Sequence, residues 1–295
     1  MDFLIQLFNG LQLGSIYALI ALGYTMVYGV AKLINFAHGD IIMVGAYTIF
    51  FVVQTSLFRS GLPLYLAIVP AIIACTLLGV VIERIAYKPL RNSSSISILI
   101  TAIGVSLFLE NLFVKVFTAN ARPVPSLFNQ ASLNIFGIRL SFQTIFTIVL
   151  TIILTIILQI FISKTKYGKM MLAVSEDYKA SSLVGINVDN TMTMTFAIGS
   201  ALAGVASLLY VSSYPQITPF IGSMLGIKAF TAAVVGGIGS IPGAVIGGFI
   251  LGMIEVMTRA YLSSSYADAI VFLVLILVLI VKPTGILGNM EKEKV

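Results

Sequence analysis

The chain alternates between long apolar runs and short polar connections. Seven of these runs are about 20 residues long, at 10–31, 40–58, 62–82, 96–117, 141–162, 191–213 and 266–281. A helix of that length rises about 30 Å, which matches the hydrocarbon core of a bilayer. The pattern therefore predicts an all-α, polytopic membrane protein that forms a single transmembrane domain over residues 1–295.

The region before the last of these runs is less regular. Its first apolar stretch, 223–235, has only about 13 residues and would be roughly 20 Å long as a helix, which is shorter than the bilayer core. The turn GGIGSIPG follows, with Ser240 as a helix cap and Pro242 in the first turn of a second helix that runs to about Thr258. We predict a short glycine-rich helical hairpin here, which either crosses the membrane or dips into it. The total is then about eight or nine helices.

Small residues recur four positions apart in several of these segments. On a helix this spacing places them on one face, where a neighbouring backbone can approach closely. The glycines predicted to act in helix packing are Gly10, Gly14, Gly199, Gly239, Gly243 and Gly247.

The longest water-soluble connection is the 163–190 segment. Ser175 is a candidate cap for a helix that begins with Glu176 and Asp177 and ends at Gly185. This helix would have about nine residues, too few to be stable alone in water. Its apolar stripe, formed by Ala180, Leu183 and Val184, therefore needs a partner surface, which is either the protein's own transmembrane helices, the membrane face or a second protein.

The composition supports the membrane class and excludes several others. Hydrophobic residues make up 59% of the chain, charged residues 9%, and the mean hydropathy is +1.07. The single cysteine, Cys75, lies in an apolar run and is predicted to serve packing. The lone histidine, His38, has no neighbours at metal-ligand spacing, so we predict no metal site and assign it to hydrogen bonding in a turn with Asn35 and Gly39. No GxxxxGK[ST] motif occurs, so the chain is not expected to be an ATP-hydrolysing enzyme.

The net charge of +6 lies mainly in the connections, where it indicates membrane orientation rather than nucleic-acid binding. If the connection after the third span is cytoplasmic, the inner side carries eleven basic residues and the outer side five. The inner residues are Lys32, Arg84, Lys88, Arg91, Lys164, Lys166, Lys169, Lys179, Lys282, Lys292 and Lys294, and the outer ones are Arg59, Lys115, Arg122, Arg139 and Arg259. The N-terminus is predicted outside and the C-terminus inside.

The candidate intramembrane charges are Glu110, Lys228 and Glu255, and ionisable groups within a membrane usually face the interior of a bundle. Glu255 precedes Arg259 by one turn, which favours an interfacial contact within the same helix. Glu110 and Lys228 have no such neighbour. They are predicted either to form an ion pair with each other or to act directly on a substrate.

Three blocks of sequence carry a family resemblance. These are GSIYALIALGYTMVYGVAKLINFAHGDIIMVGAY, the segment EDYKASSLVGINV followed by TFAIGSALAGVAS, and IKAFTAAVVGGIGSIPGAVIGGFILG. Together they resemble LivH-type permeases, the membrane subunits of branched-chain amino acid ABC importers. The resemblance covers about residues 10–290.

This resemblance implies partners in a bacterial inner membrane. They are a homologous, LivM-like second permease, two cytoplasmic ATPases that hold ATP and Mg²⁺, and an extracytoplasmic solute-binding protein, while this chain itself binds no cofactor. It also implies that the helix in the 163–190 segment docks into an ATPase. The coupling residues would be Glu176, Asp177, Ala180, Leu183, Val184 and Gly185.

An amino acid is zwitterionic, so its path needs both hydrogen-bond donors and acceptors. The helix N-termini near Ser223 and Ser240 are candidate donors beside Glu110 and Lys228. Two alternatives remain: an ABC permease for urea, short amides or a simple sugar, and an ion-coupled carrier that uses Glu110 and Lys228 as coupling groups and broken helices near 236–243 as its site.

Overall fold

The computed structural model describes residues 2–55, 61–91, 93–128, 132–135 and 138–288, and this part of the chain is almost entirely helical. Its α-helices are α1 (Asp2–Ala31), α2 (His38–Val53), α3 (Ile68–Ile82), α4 (Ser95–Phe117), α5 (Phe142–Lys164), α6 (Lys166–Glu176), α7 (Tyr178–Leu183), α8 (Val188–Ser213), α9 (Ile221–Gly236), α10 (Ile241–Tyr261) and α11 (Ala267–Val281). Short 3₁₀ helices occur at Leu64–Ala67, Lys88–Leu90 and Ser264–Tyr266. The predicted fold class is confirmed.

Two small antiparallel strand pairs lie in the connections. Strand β1 (Arg122–Pro123) pairs with β4 (Gln216–Ile217), and β2 (Ser132–Ile135) pairs with β3 (Ile138–Ser141). In the described residues, seven helical segments are long and apolar enough to cross a membrane, and α2 and α9 are shorter apolar helices of 16 residues each. Arg59 and the charged C-terminal tail with Lys292 and Lys294 lie outside the described residues.

The third span, placed at 62–82 by its apolar run, extends further along the chain. Pro70 lies in the first turn of α3, where a missing N–H breaks no helical hydrogen bond, so it does not kink the helix. After α3 the chain continues as a π-helix over Glu83–Tyr87. The side chains of Glu83 and Tyr87 are only 1% and 2% exposed, so packing inside the bundle keeps this segment helical.

Helix α1 is the centre of the bundle, and glycines set its distance from α10. A Cβ on Gly14 would lie 2.7 Å from the Cα of Phe249, and one on Gly10 would lie 2.9 Å from the Cα of Met253. Neither backbone leaves room for a methyl group. Gly199 of α8 faces α1 in the same way, with its Cβ position 3.2 Å from the carbonyl oxygen of Gly23.

Helices α9 and α10 form the predicted hairpin. Ser240 caps α10 by accepting a hydrogen bond from the N–H of Gly243 at 3.2 Å, and Pro242 lies in the first turn, as predicted. Gly243 packs on Gly236, and Gly247 packs on Ala232. The packing prediction for Gly239 is wrong, because this residue lies in the turn at φ +93°, and among the described residues outside the turn none lies within 4 Å of its Cβ position.

Four connected features meet at one end of the bundle. The hydroxyl of Tyr178, just after the middle of the 163–190 segment, donates to the carbonyl of Ala31 at the end of α1. A Cβ on Gly29 would lie 3.7 Å from Gly239 in the hairpin turn. The segment after α11 joins them, because the N–H of Leu287 donates to the carbonyl of Gly236 at 2.8 Å.

At the opposite end of the bundle, the N-terminal parts of α1 and α5 meet the C-terminus of α8. Gln12 of α1 and Gln143 of α5 each donate to the hydroxyl of Ser213, at the end of α8, at 2.9 Å and 3.0 Å. Gly10, near the start of α1, packs on Met253 in the last part of α10, so the hairpin of α9 and α10 begins and finishes at this end and its turn reaches the other.

Candidate coupling surface and buried charges

The 163–190 segment folds as two helices with a break between them. Ser175 and Glu176 belong to α6, and the helix that follows has six residues instead of nine, so the predicted start was wrong. Asp177 is the actual cap, because its extended backbone interrupts the helix and its carboxylate accepts the N–H groups of Lys179 and Ala180 at 2.7 Å and 2.9 Å. The hydroxyl of Ser175 instead donates back to Leu172 within α6. A carboxylate that takes two amides outcompetes a single hydroxyl at this position.

The apolar stripe of α7 points away from the protein. Leu183 is 87% exposed and Val184 is 76% exposed, and Ala180 is exposed beside them. Packing against the protein's own transmembrane helices is therefore excluded as the explanation of this stripe. Burying a side chain such as leucine or valine contributes about 1.5–3 kcal/mol, so the stripe offers a compact surface for association. Gly185 ends the helix at φ +85°.

The other face of α7 is fixed to the bundle. Tyr178 donates to the carbonyls of Ala31 at 2.8 Å and Val30 at 3.3 Å, which are among the last carbonyls of α1 and have no partner within that helix. Burial raises the pKa of the Tyr178 hydroxyl above its ordinary value, so it remains a neutral donor. Ser181 is also buried. A displacement of α7 would therefore act directly on the end of α1.

An ion-pair network lies at the end of the 163–190 segment, where α8 starts. Asp189 accepts from Lys88 at 2.7 Å and from Arg91 at 2.6 Å. Arg91 also pairs at 2.9 Å with the buried Glu83, which accepts the hydroxyl of Thr193 at 2.9 Å. These contacts join the π-helix after α3 to the first turns of α8.

A second charge cluster is buried near the opposite end, between α1, α9, α10 and α11. Lys228 is 5% exposed and binds Glu255 at 2.8 Å and Asp268 at 2.6 Å. Glu255 is fully buried, contacts Arg259 one turn later, and accepts the hydroxyl of Tyr17 at 2.7 Å. The contact between Glu255 and Arg259 was predicted, but the buried position of Glu255 and its bond to Lys228 were not.

The predicted ion pair between Glu110 and Lys228 is wrong. Lys228 is satisfied by two other carboxylates, and Oε1 of Glu110 on α4 is buried without a hydrogen-bond partner among the described residues. Which of the intramembrane charges pair with each other depends on how α9 packs on α10, and the sequence alone does not predict that packing. Asp268 was missed because it lies in the first turn of α11, where it reads as an interfacial residue.

Asp40 is a further buried charge that the sequence analysis missed. It lies in the first turn of α2, is fully buried, and neither of its carboxylate oxygens has a hydrogen-bond partner within the described residues. Its helix begins inside the bundle, because Gly39 packs against the backbone of Gly222 on α9. His38 starts this helix, and its ring packs edge-on against Tyr24 with centroids 4.8 Å apart. The signal was present in the sequence as HGD, but it was assigned to the edge of a span.

Of the predicted path residues, Ser223 and Ser240 lie at opposite ends of the hairpin. Ser223 is in the first turn of α9, and its hydroxyl donates to the carbonyl of Phe220 at 3.1 Å. Ser240 caps α10 at the other end, so the two serines cannot contact one small molecule together. A cavity of about 350 Å³ lies beside Lys228, lined also by Tyr210, Tyr214 and Met224.

Comparison with known proteins assigns the chain to a family. The family model described as "Branched-chain amino acid transport system / permease component" matches residues 6–279. The chain belongs to this family. The resemblance found in the sequence is thereby confirmed, and together with the apolar helices it establishes a membrane protein that is a permease component of a transport system.

Individual members of the family match along nearly the whole chain. The high-affinity branched-chain amino acid transport system permease protein LivH of Escherichia coli K12 is 48% identical over 99% of this chain and 98% of its own. BraD of Pseudomonas aeruginosa is 45% identical over the same shares. A probable LivH of Methanocaldococcus jannaschii is 30% identical over 93% of this chain and 89% of its own.

Proposed function

We propose that this chain is the membrane-spanning permease subunit of an ATP-driven ABC importer that carries branched-chain amino acids into the cell. The observation that carries the proposal is the family match, with 45–48% identity to LivH and BraD proteins over 99% of the chain. ATP and Mg²⁺ are held by two partner ATPases in this proposal, and a LivM-like permease and a solute-binding protein complete the importer.

The exposed stripe on α7 is the proposed ATPase contact. Leu183 and Val184 enter the ATPase surface, and Tyr178 transmits the movement of α7 to the end of α1. ATP binding then changes which side of the permease pair is open, so that the amino acid crosses by alternating access. Glu176 and Asp177 place negative charge before the stripe, and Asp177 also fixes the start of α7.

The proposed orientation puts the 163–190 segment in the cytoplasm and the N-terminus outside. Its support is the charge distribution, because the end of the bundle that carries this segment also carries Lys32, Lys88 and Arg91. Among described residues the outer end then carries Lys115, Arg122, Arg139 and Arg259.

The proposed translocation path runs along the exposed face of α9 towards the partner permease. Ser223 lies on the outer half of this helix, where Met224 and Ile227 are 47% and 43% exposed. Lys228 lies behind that face in its ion-pair cluster, where it holds α9 against α10 and α11. Ser240 lies at the cytoplasmic end of the hairpin, and Glu110 is buried on α4, away from this face of α9.

Reconstitution separates this function from its alternatives. Proteoliposomes that contain both permeases and both ATPases should accumulate leucine, isoleucine and valine only when ATP and the solute-binding protein are supplied. Uptake by this chain alone, driven by a proton or sodium gradient, would instead establish an ion-coupled carrier. Competition by urea, a short amide or a simple sugar, without competition by leucine, would establish a different cargo.

A further inference from the structure

Two buried carboxyl groups lie outside the ion-pair networks described above. Asp40 of α2 is 0% exposed and Glu110 of α4 is 8% exposed. In the described part of the chain, neither oxygen of Asp40 nor Oε1 of Glu110 has a hydrogen-bond partner, and no basic side chain forms an ion pair with either group. An ionised carboxylate that is buried without a partner is strongly unfavourable, so the pair requires a neutralising species.

The contact between α2 and α4 brings the two carboxyl groups together. Asp40 lies beside the hydroxyl of Ser106, although not in the geometry of a full hydrogen bond. Seven residues later on both helices, the ring centroids of Tyr47 and Phe113 are 5.0 Å apart. The helices therefore run parallel here, and because seven residues make about two turns, these positions share one face of each helix. Glu110 follows Ser106 by one turn, about 6 Å along the axis, and its charge acts on Asp40.

The space around the pair limits what the neutralising species can be. Both oxygens of Asp40 and Oε1 of Glu110 have essentially no surface that a water molecule could reach. A metal ion with its water ligands, or the ammonium group of an amino acid, is larger than this space. A proton needs no space of its own, because it forms a covalent bond to a carboxylate oxygen.

One of the two carboxyl groups can remain ionised. Asp40 lies in the first turn of the 16-residue helix α2, where the positive end of the helix dipole stabilises a carboxylate. The start of α9 lies against the same turn, because a Cβ on Gly222 would be 2.9 Å from the Cα of Asp40. Glu110 lies in the interior of α4 and has no helix end beside it. Two neighbouring carboxyl groups of this kind share one proton, because ionisation of both would place like charges together.

We propose that Asp40 and Glu110 form a buried proton-binding site that holds one proton between α2 and α4. The proton removes the repulsion between the two groups and gives the site a hydrogen-bond donor. It stabilises the start of α2, where Gly39 packs against Gly222 of α9. The site is independent of the solute that the chain carries.

Other ionisable side chains on the surrounding elements do not supply the missing positive charge. They include Tyr24 of α1, His38 of α2, Cys75 of α3, Asp189 of α8, Lys228 of α9 and Arg122 of β1. Tyr24 and Cys75 are neutral or anionic. Lys228 is bound by two carboxylates, and Arg122 lies over the ring of Phe117, two turns beyond Glu110. His38 packs its ring on Tyr24, and the variants below separate its titration from that of the pair.

Thermal unfolding at different pH values tests for the bound proton. The full-length chain is purified in a neutral detergent, and its unfolding is followed by tyrosine fluorescence, since the chain has 12 tyrosines and no tryptophan. Glu110→Gln and Asp40→Asn each remove one carboxyl group from the pair with little change in shape. The quantity compared is the melting temperature of the original protein minus that of each variant, so pH effects from other groups, including His38, cancel.

The expected sign follows from proton binding to the folded state. Ordinary carboxyl groups release their protons near pH 4, so above about pH 5 the folded chain holds a proton that the unfolded chain has released. Each unit of rise in pH then shifts the unfolding equilibrium of the original protein about tenfold towards the unfolded state, until the pair loses its proton. The difference in melting temperature should therefore fall by roughly 2–4 °C per unit over at least one unit between about pH 5 and 9. A difference that is independent of pH for both variants would overturn the proposal.

Glu255→Gln is the matched control, because Glu255 is also a fully buried carboxylate but is paired with Lys228. This control should melt below the original protein by an amount that does not change over the same pH range. At the alkaline end of the range, at least one variant of the Asp40–Glu110 pair should instead melt above the original protein, because it lacks the second unpaired charge. An equal pH dependence in the control would show a general effect and would refute the site.

Two further measurements identify the bound species. Replacing choline chloride by sodium chloride at constant ionic strength should leave the melting temperatures unchanged. A Na⁺-dependent rise that both variants lose would assign a metal ion to the pair and overturn the proton. In infrared difference spectra between the original protein and Glu110→Gln or Asp40→Asn, the C=O stretch of a carboxylic acid should be present at the acidic end of the range and absent at the alkaline end. Its absence at both ends, for both variants, would also overturn the proposal.

Discussion

Replacing Leu183 by aspartate tests whether the stripe of α7 binds the ATPase. Leu183 is 87% exposed in the isolated chain, so the change removes almost no contact within the permease, and its folding and membrane insertion should be unaffected. In the complex the variant loses about 2 kcal/mol of apolar burial, and it places an unpaired carboxylate in the interface. A combined cost of at least about 3 kcal/mol corresponds to roughly a hundredfold weaker association.

The assay measures the affinity of the purified ATPase for the detergent-solubilised permease, together with the amount of permease in the membrane. Ser182→Asp is the matched control, because it adds the same charge to the same helix at an exposed position outside the stripe. We expect the control to bind ATPase within a few-fold of the original protein. An unchanged affinity for Leu183→Asp would refute the reasoning, and the stripe would then belong against the membrane face.

Three further predictions follow from the packing. Lys228→Met should lower the free energy of unfolding by about 3–5 kcal/mol, because it leaves Glu255 buried with one cation fewer. In double-mutant cycles measured by thermal unfolding, its effect should depend strongly on Glu255→Gln and should be additive with that of Glu110→Gln. Coupling to Glu110 would contradict the observed pairing. Gly14→Ala should lower the free energy of unfolding by about 1–3 kcal/mol, because its methyl group would lie 2.7 Å from the α10 backbone. Gly104→Ala is the control and should be neutral or stabilising, because no described atom lies within 4 Å of that Cβ position. Equal melting temperatures of the two variants would argue against the close approach. Cysteines at positions 182 and 132 should react with an impermeant maleimide from opposite sides of the membrane, with little background because Cys75 is buried, and labelling from one side would overturn the orientation.

Much of the fold could be predicted because hydrophobicity acts locally. Each long apolar run must become a helix in lipid, since every backbone hydrogen bond has to be made within the segment. The predicted spans that correspond to α4, α5 and α8 therefore agree with the observed helices to within a few residues. The hairpin was equally readable, because Ser240 and Pro242 mark a helix start through interactions with their immediate neighbours.

Predictions failed where two local signals competed or where a third element intervened. Ser175 and Asp177 are both suitable N-cap residues for α7. Asp177 is the cap in the structure, because its carboxylate accepts two backbone N–H groups. The apolar run of the third span ends at residue 82, but the chain stays helical beyond it because Glu83 and Tyr87 are buried against other helices. Neither outcome is encoded within a single window of sequence.

The sequence by itself determined the membrane class, the spans, the glycine-rich hairpin, the apolar stripe of α7 and the family. Each of these depends on composition or on residues close together along the chain. Only the tertiary structure decided that Lys228 pairs with Glu255 and Asp268, that Asp40 is buried at a helix start inside the bundle, and that α6, the end of α1 and the hairpin turn enclose a cavity. These features join residues as far apart as Thr25 and Ser240. Which helices become neighbours depends on the packing of all the apolar faces at once, and no periodicity within one segment records it.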